Sequence, residues 1–530
     1  MRAIRRTLCL GTLGLALGSQ SVAAISDPVR VEQGQLAGAD GRSPDVRVYR
    51  GVPFAAPPVG ALRWKPPEPA PYWQGVRQAT QIGNACPQPP FPANGLYGTS
   101  PPPISEDCLN LNIWTPAKSA DDRLPVMVWI HGGGFEHGSG GAIGYDGENL
   151  ARKGVVVVTI NYRLGILGFL ALPELEAESP DHAAGNYALM DQIAALRWVQ
   201  RNITAFGGDP VRVTIFGESA GSVSVNILMA SPLAQGLFSR AIGESGGSFG
   251  PMPSLADAEK GGRQFASKCG ATEDVLKSLR AKSVDDLLRA TTEDDVQIIV
   301  DGWVLPQSVY TIFAEGKQND VPIIVGNNAS EGTIFPPPTG SLSAQEFADQ
   351  AHRRYGAFAK QFLEAYPAGS SDQEAIAAYF ESIRDGQFGW EMRFWARMAT
   401  ETGHRRAYRY YFSRVPPGSG ERLGAFHGSE LAYVFENFPY RISYQGADKQ
   451  LGEFISGYWA NFARTGDPNA TPDPKGANVP TWPIYSPTKD NVLELGDQVS
   501  VQSHVNAAGL DFVDVYNRSL RPPPATKTAP

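Results

Sequence analysis

The segment Gly217-Glu218-Ser219-Ala220-Gly221 places a serine between two glycines. A serine hydroxyl becomes a useful nucleophile only when it is exposed on a tight turn and paired with a base. The run Val211-Arg212-Val213-Thr214-Ile215-Phe216 precedes it, and a helix-like run with Val223, Val225, Ile227 and Leu228 follows. Strand–turn–helix is the context in which G-x-S-x-G lifts its serine out of a sheet. The helix start adds backbone N–H groups and a dipole that favours an anion. The chemistry such a segment supports is acyl transfer, with the Ser219 oxygen attacking a carbonyl carbon.

Acyl transfer also needs donors for the oxyanion. His131-Gly132-Gly133-Gly134-Phe135 follows the apolar run Val126–Ile130, and consecutive glycines let main-chain N–H groups face a carbonyl without interference from side chains. In this arrangement of motifs the chain order is nucleophile, acid, histidine. Of the seven histidines, His131, His137 and His182 precede Ser219 and are excluded by order. His352 and His404 lie beside arginines or in helix-like sequence, and His504 in a polar stretch near the end. His427 lies in a Gly-flanked loop before an aromatic run and is favoured as the base. Glu331, Asp320 and Asp301 all fall in range for the acid, and Glu331 has the advantage of lying after a strand-like run and before Gly332.

The positioning elements are legible as short β-branched runs: Val126–Ile130, Val155–Ile160, Val211–Phe216 and Pro322–Val325, each followed by a Gly- or Asn-rich turn. Between them lie helix-length stretches such as Asn186–Arg201, in which Leu189, Ile193, Leu196 and Trp198-Val199 recur at helical spacing. Strands apolar on both faces that alternate with helices predict an α/β protein with a mostly parallel central sheet flanked by helices. From about Ser341 to Gly403 the pattern is amphipathic and aromatic without a clear strand, which predicts a helical insertion near the active site.

Several further segments extend the pattern: Phe54-Ala55-Ala56-Pro57-Pro58-Val59-Gly60, Ser105-Glu106-Asp107-Cys108-Leu109-Asn110-Leu111-Asn112, Asn161-Tyr162-Arg163-Leu164-Gly165 and Phe206-Gly207-Gly208-Asp209-Pro210. Together with Gly217–Gly221 they make the chain resemble a type-B carboxylesterase, the cholinesterase-like branch of the α/β-hydrolase superfamily, from about Val29 to Val513. The resemblance implies the α/β-hydrolase fold and a serine esterase with Ser219 as nucleophile, Glu331 as acid and His427 as base. It implies oxyanion donors at Gly133, Gly134 and Ala220, and a substrate pocket touching Glu218, Met252, Ile334 and Phe335. It implies a disulfide between Cys86 and Cys108, with the family's second one broken because Ser278 stands where a partner for Cys269 is usual. No metal or organic cofactor is implied, and the partner is a small-molecule ester.

Two other readings follow from the same resemblance. Adhesion-type members of the family have lost the nucleophile, whereas Ser219, Glu331 and His427 are all present here. An interfacial lipase needs an apolar lid, and the Pro-rich loop from Cys86 to Cys108 is not strongly apolar. Cholinesterases carry a tryptophan some ten residues before the second cysteine of that loop, where this chain has Leu96-Tyr97-Gly98. Neutral aryl or short-to-medium acyl esters are therefore expected ahead of choline esters.

The 530 residues are 42% hydrophobic and 19% charged, with 57 Gly and 43 Pro, a mixture that excludes a coiled coil, a collagen and a mainly disordered chain. A net charge of -8 without a basic run argues against nucleic acid as partner. Arg2, Arg5 and Arg6, the apolar run Leu8–Leu17 and the small residues Ser21–Ala24 have the layout of a signal peptide over residues 1–24. Residues 25–520 then form the hydrolase domain and 521–530 a polar Pro-rich tail. Export is expected, secreted or periplasmic, without a stable membrane anchor. Cys9 would leave with the leader, and Cys269 is expected to be a buried free thiol.

Overall fold

The β-branched runs become the middle of an eleven-stranded sheet in the computed structural model, which describes residues 25–90, 102–337, 340–439, 442–469 and 480–521. From one edge the strands are Val499–Ser503, Asn491–Leu495, Ala407–Phe412, Ile323–Asn328, Arg240–Glu244, Gly208–Glu218, Leu124–Ile130, Val156–Ile160, Asn110–Thr115, Arg47–Pro53 and Ala39–Asp40. The strands from Asn491–Leu495 through Val156–Ile160 run parallel, and the remaining pairings are antiparallel. A smaller sheet joins Val29–Val31, Gly34–Ala37 and Val76–Gln78.

Side chains alternate across the large sheet as a period of two requires. Val126, Val128 and Ile130 enter one core with Leu189, Ile193, Trp198, Val225, Leu228 and Trp395. Met127 and Trp129 enter the other with Phe216, Ile242, Ile324, Ile455, Trp459 and Phe462. Both faces are thus covered, which is why these strands read as continuous apolar runs rather than alternating ones. Truncating a fully buried anchor such as Trp459 to alanine costs about 3–5 kcal/mol.

The expected helix is Tyr187–Asn202. The strand expected over Val211–Phe216 is longer, Gly208–Glu218, so Glu218 belongs to the sheet. Ala407–Phe412, with the sequence AYRYYF, is a strand outside the β-branched runs, its central arginine breaking the apolar pattern. Its Arg409 is fully buried because Asp490 binds the guanidinium at 2.9 Å. Between Ser341 and Gly403 the elements are helical: Ala344–Tyr355, Ala359–Ala365, Asp372–Ile383, a π-turn at Arg384–Gly389 and Trp390–Thr402. Ser343 with Glu346, and Ser371 with Glu374, form capping boxes that start two of these helices.

Cys86 and Cys108 are disulfide-bonded; Cys269 is a free thiol but half-buried rather than buried as expected, lying at the end of the helix Leu255–Lys268. Among the described residues no helix is long and apolar enough to cross a membrane. Residues 1–24, expected as a signal peptide, residues 522–530 of the tail and the Leu96-Tyr97-Gly98 stretch lie outside the described residues.

Candidate active site

Ser219 ends the strand Gly208–Glu218 and caps the helix Ala220–Ala230 with φ 57° and ψ −123°. Strain of this kind costs about 1–3 kcal/mol and persists only where its surroundings enforce it. Here the Ser219 N–H donates to the Glu244 carbonyl at 2.8 Å and the Ser219 carbonyl accepts from Val223 at 2.9 Å. The glycines are steric necessities. A Cβ on Gly221 would fall 2.0 Å from the Ile130 oxygen, and one on Gly217 would fall 2.6 Å from Gly221. The turn therefore packs strand, helix and the neighbouring strand end together, leaving the Ser219 side chain half-exposed at the top of the sheet.

The glycine loop after Leu124–Ile130 abuts this turn. A Cβ on Gly132 would lie 2.7 Å from the Glu218 oxygens and 3.1 Å from the Ser219 Cβ. Gly133 and Gly134 are exposed beyond it, at φ 101° and φ 65°. Ala220 is buried at the start of the helix. Gly132 thus abuts the Ser219 turn, with Gly133 and Gly134 following it and Ala220 on the other side at the helix start.

Glu331 follows the strand Ile323–Asn328 and has no exposure. Its Oε1 accepts the Asn328 N–H and the Ser245 hydroxyl, each at 2.6 Å. Its Oε2 meets Nδ1 of His427 at 2.6 Å. The loop bearing His427 is tied to that of Glu331 through the Ser330–Phe426 bridge and through Asn328, whose amide donates to the Phe426 carbonyl at 2.9 Å and also to Glu430. The other ring nitrogen, Nε2, lies 3.1 Å from the carboxylate of Glu218, the residue next to Ser219. The imidazole thus spans from Glu331 to the turn that carries Ser219.

Burial opposes a charge on His427, but Glu218 and Glu331 outweigh it and raise its pKa to about 9. Burial also raises Glu218, against the attraction of His427. Glu244 and Glu430 are raised in the same way, first by burial and then by neighbouring carboxylates. Glu218, Glu244 and Glu430 each bear the cost of burial and, with it, the charge of a neighbouring carboxylate, which is why all three are pushed upward.

The alternatives for acid and base lie elsewhere. Asp320 accepts the His404 N–H at 3.0 Å, and Asp301 caps Trp303 and Leu305. His352, His404 and His504 are exposed, while His131 is buried flat against Tyr162 with its pKa lowered to about 4 by desolvation. Phe335 lies 5.9 Å from the His427 ring, Ile334 is half-buried in the 3-10 turn Glu331–Ile334, and Met252 packs half-buried on the main core.

Three participants escaped sequence reasoning. Phe388 sits on the π-turn with its ring 4.5 Å from that of His427 and stacked on Phe335 at 6.0 Å. Its only sequence signal is the glycine pair Gly386 and Gly389 inside a helical stretch. Ser245 and Glu430 complete the hydrogen bonding of Glu331 and Asn328; Ser245 lies in Glu244-Ser245-Gly246-Gly247, which resembles a family motif without showing that its hydroxyl serves the acid, and nothing in its local sequence marks Glu430.

The carboxylesterase family model matches residues 26–513. The chain is 37% identical over 512 residues to the fumonisin B1 esterase of Sphingopyxis macrogoltabida, covering 94% of this chain and 91% of the relative. It is 35% identical over 484 residues to the para-nitrobenzyl esterase of Bacillus subtilis (strain 168), covering 86% and 93%. It is 37% identical over 511 residues to carboxylesterase 1F of Mus musculus, covering 87% and 88%. With an α/β-hydrolase sheet and such matches along nearly its whole length, this chain belongs to the carboxylesterase family and is a carboxylic-ester hydrolase.

Proposed function

We propose that ester cleavage proceeds through Ser219, His427 and Glu331 by way of an acyl-enzyme. The observation that carries the reading is the 2.6 Å contact between Glu331 and His427, with the opposite ring nitrogen turned to the Ser219 segment. Neutral His427 takes the Ser219 proton as the oxygen attacks the ester carbonyl, and Glu331 fixes the tautomer and stabilises the imidazolium. The tetrahedral oxyanion is held by the N–H groups of Gly133, Gly134 and Ala220, each worth about 3–4 kcal/mol in comparable sites. His427 then protonates the leaving alcohol, and water, activated by the same base, releases the acid.

For the substrate we propose neutral aryl or short-to-medium acyl esters. The apolar ring pair Phe335 and Phe388 beside His427 supports this, as does a relative named for para-nitrobenzyl ester cleavage. We further propose export, on the Arg-rich and apolar leader-like start and on the Cys86–Cys108 disulfide. Hydrolysis of p-nitrophenyl esters by wild type and Ser219→Ala, with matched neutral and choline esters in parallel, tests the mechanism and the substrate class. Full activity of a folded Ser219→Ala variant overturns the first, and equal rates on the matched esters overturn the second.

A further inference from the structure

The loop leaving the strand Arg240–Glu244 is fastened residue by residue. Ser245 donates to Glu331 at 2.6 Å, the Gly246 carbonyl accepts from the Ser222 hydroxyl at 2.6 Å, and the Ser248 N–H donates to Asn226 at 3.0 Å. Those partners belong to the acid or to the helix behind Ser219. The next tie is of a different origin. The Phe249 N–H donates to Oε2 of Glu391 at 3.0 Å, from the helix Trp390–Thr402.

Glu391 is only 8% exposed, and burial pushes its carboxyl up to about 7 against the Phe249 N–H and the charge of Arg521. A carboxyl in this setting costs stability that an apolar residue would not, unless its hydrogen bond compensates. The loop is shaped to receive it. A Cβ on Gly247 would lie 2.8 Å from Oε2 of Glu391 and 3.1 Å from its Cβ. Phe249 is then locked between Phe313 and Phe394, each 5.1 Å away. The helix bearing Glu391 continues directly from the π-turn that sets Phe388 against His427. One helical segment therefore holds the base with one residue and the loop beyond the nucleophile with another.

We propose that Glu391 is a specificity-determining positioning residue, which fixes the course of Gly246–Met252 through the Phe249 N–H and so sets one wall of the ester pocket. This rests on the reading of the Met252 loop as the acyl side of the site.

The test compares wild type, Glu391→Ala, Glu391→Gln and Gly247→Ala on p-nitrophenyl esters from acetyl to octanoyl, with phosphonate labelling of Ser219 as a second readout. Glu391→Ala is expected to change the ratio of long-chain to short-chain kcat/KM by about tenfold, the scale on which pocket shape discriminates a few methylenes. Labelling by a small phosphonate should stay near the wild-type rate. Glu391→Gln keeps an oxygen to accept the Phe249 N–H and should keep the wild-type ratio. Gly247→Ala displaces the carboxyl from the other side and should shift the ratio as Glu391→Ala does, which serves if the latter does not fold. An unchanged ratio, a uniform loss along the series, or a glutamine variant as altered as the alanine one overturns the proposal. A wild-type protein that neither cleaves these esters nor labels at Ser219 overturns instead the reading of the site on which it rests.

Discussion

The Glu218 carboxylate lies 3.1 Å from Nε2 of His427, with both side chains nearly sealed from solvent. His427 is thus held between two acidic groups, one on each ring nitrogen, and its pKa rises to about 9 despite burial. Glu218 is itself pushed up by burial, and whenever it takes a proton it stops stabilising the imidazolium. Replacing it with a neutral amide removes that stabilisation permanently. In Glu218→Gln the His427 pKa falls, so the base is neutral at lower pH and the acid limb of the kcat/KM profile moves down in pH. A limb that stays in place or moves upward would contradict this pairing.

Glu331 holds the other ring nitrogen. Its two oxygens are occupied by Asn328, Ser245 and His427, all at 2.6 Å. Glu331→Gln keeps the shape but cannot stabilise the imidazolium and presents an N–H2 group where Nδ1–H must be accepted. A loss in kcat of about 10^3–10^4 is expected with KM little changed, by analogy with triad amides elsewhere. Stopped-flow or steady-state assay of the folded variant decides it. If Asp320→Asn is the crippling change instead, the acid is misplaced.

Ser245 gives a milder case of the same physics. Its hydroxyl donates to Oε1 of Glu331, and its own φ of 58° holds it in that pose. Hydrogen bonds to charged groups contribute about 1.5–3 kcal/mol. Because Asn328 still serves the same oxygen, Ser245→Ala should lower kcat by only about tenfold, with KM unchanged. Ser245→Thr, which retains a hydroxyl, should recover part of the loss. A Ser245→Ala enzyme with wild-type kcat shows that Asn328 alone suffices.

The nucleophile turn proposed here is legible in the sequence because its geometry is imposed by local rules. Gly217 and Gly221 sit where any side chain would strike backbone, and glycine-flanked serine after a buried strand leaves little else for the chain to do. The acid was not fixed by the same logic. Glu331, Asp320 and Asp301 each follow or precede plausible turns, and only tertiary contacts separate them, since Asp320 and Asp301 serve nearby main-chain N–H groups. The strand Ala407–Phe412 was missed because its burial depends on a distant partner: Arg409 is tolerated inside only with Asp490 beside it. Phe388 was missed for a similar reason. A π-turn shifts the phase of the helix, and helical spacing counted along the sequence points that ring to the wrong place.

Phe335 and Phe388 both touch the His427 ring, at 5.9 Å and 4.5 Å, yet their surroundings differ. Phe388 is buried against both Phe335 and the imidazole, on the π-turn that joins two helices. Phe335 is half-buried at the end of the short turn that begins with Glu331. Truncating the buried ring leaves a cavity beside the base, for which about 3–5 kcal/mol is typical. Phe388→Ala should therefore lower the unfolding temperature and reduce kcat on every ester, because the imidazole loses its lateral support. Truncating the half-buried ring removes less packing and opens space on the side proposed for the acyl or aryl group. Phe335→Ala should leave the unfolding temperature close to wild type while shifting kcat/KM toward longer chains by about tenfold. The two variants, measured on the same ester series and by the same thermal melt, separate support of the base from shaping of the pocket. A Phe335→Ala enzyme with an unchanged chain-length profile removes that ring from the pocket, and a Phe388→Ala enzyme with full kcat removes the other from the support of His427.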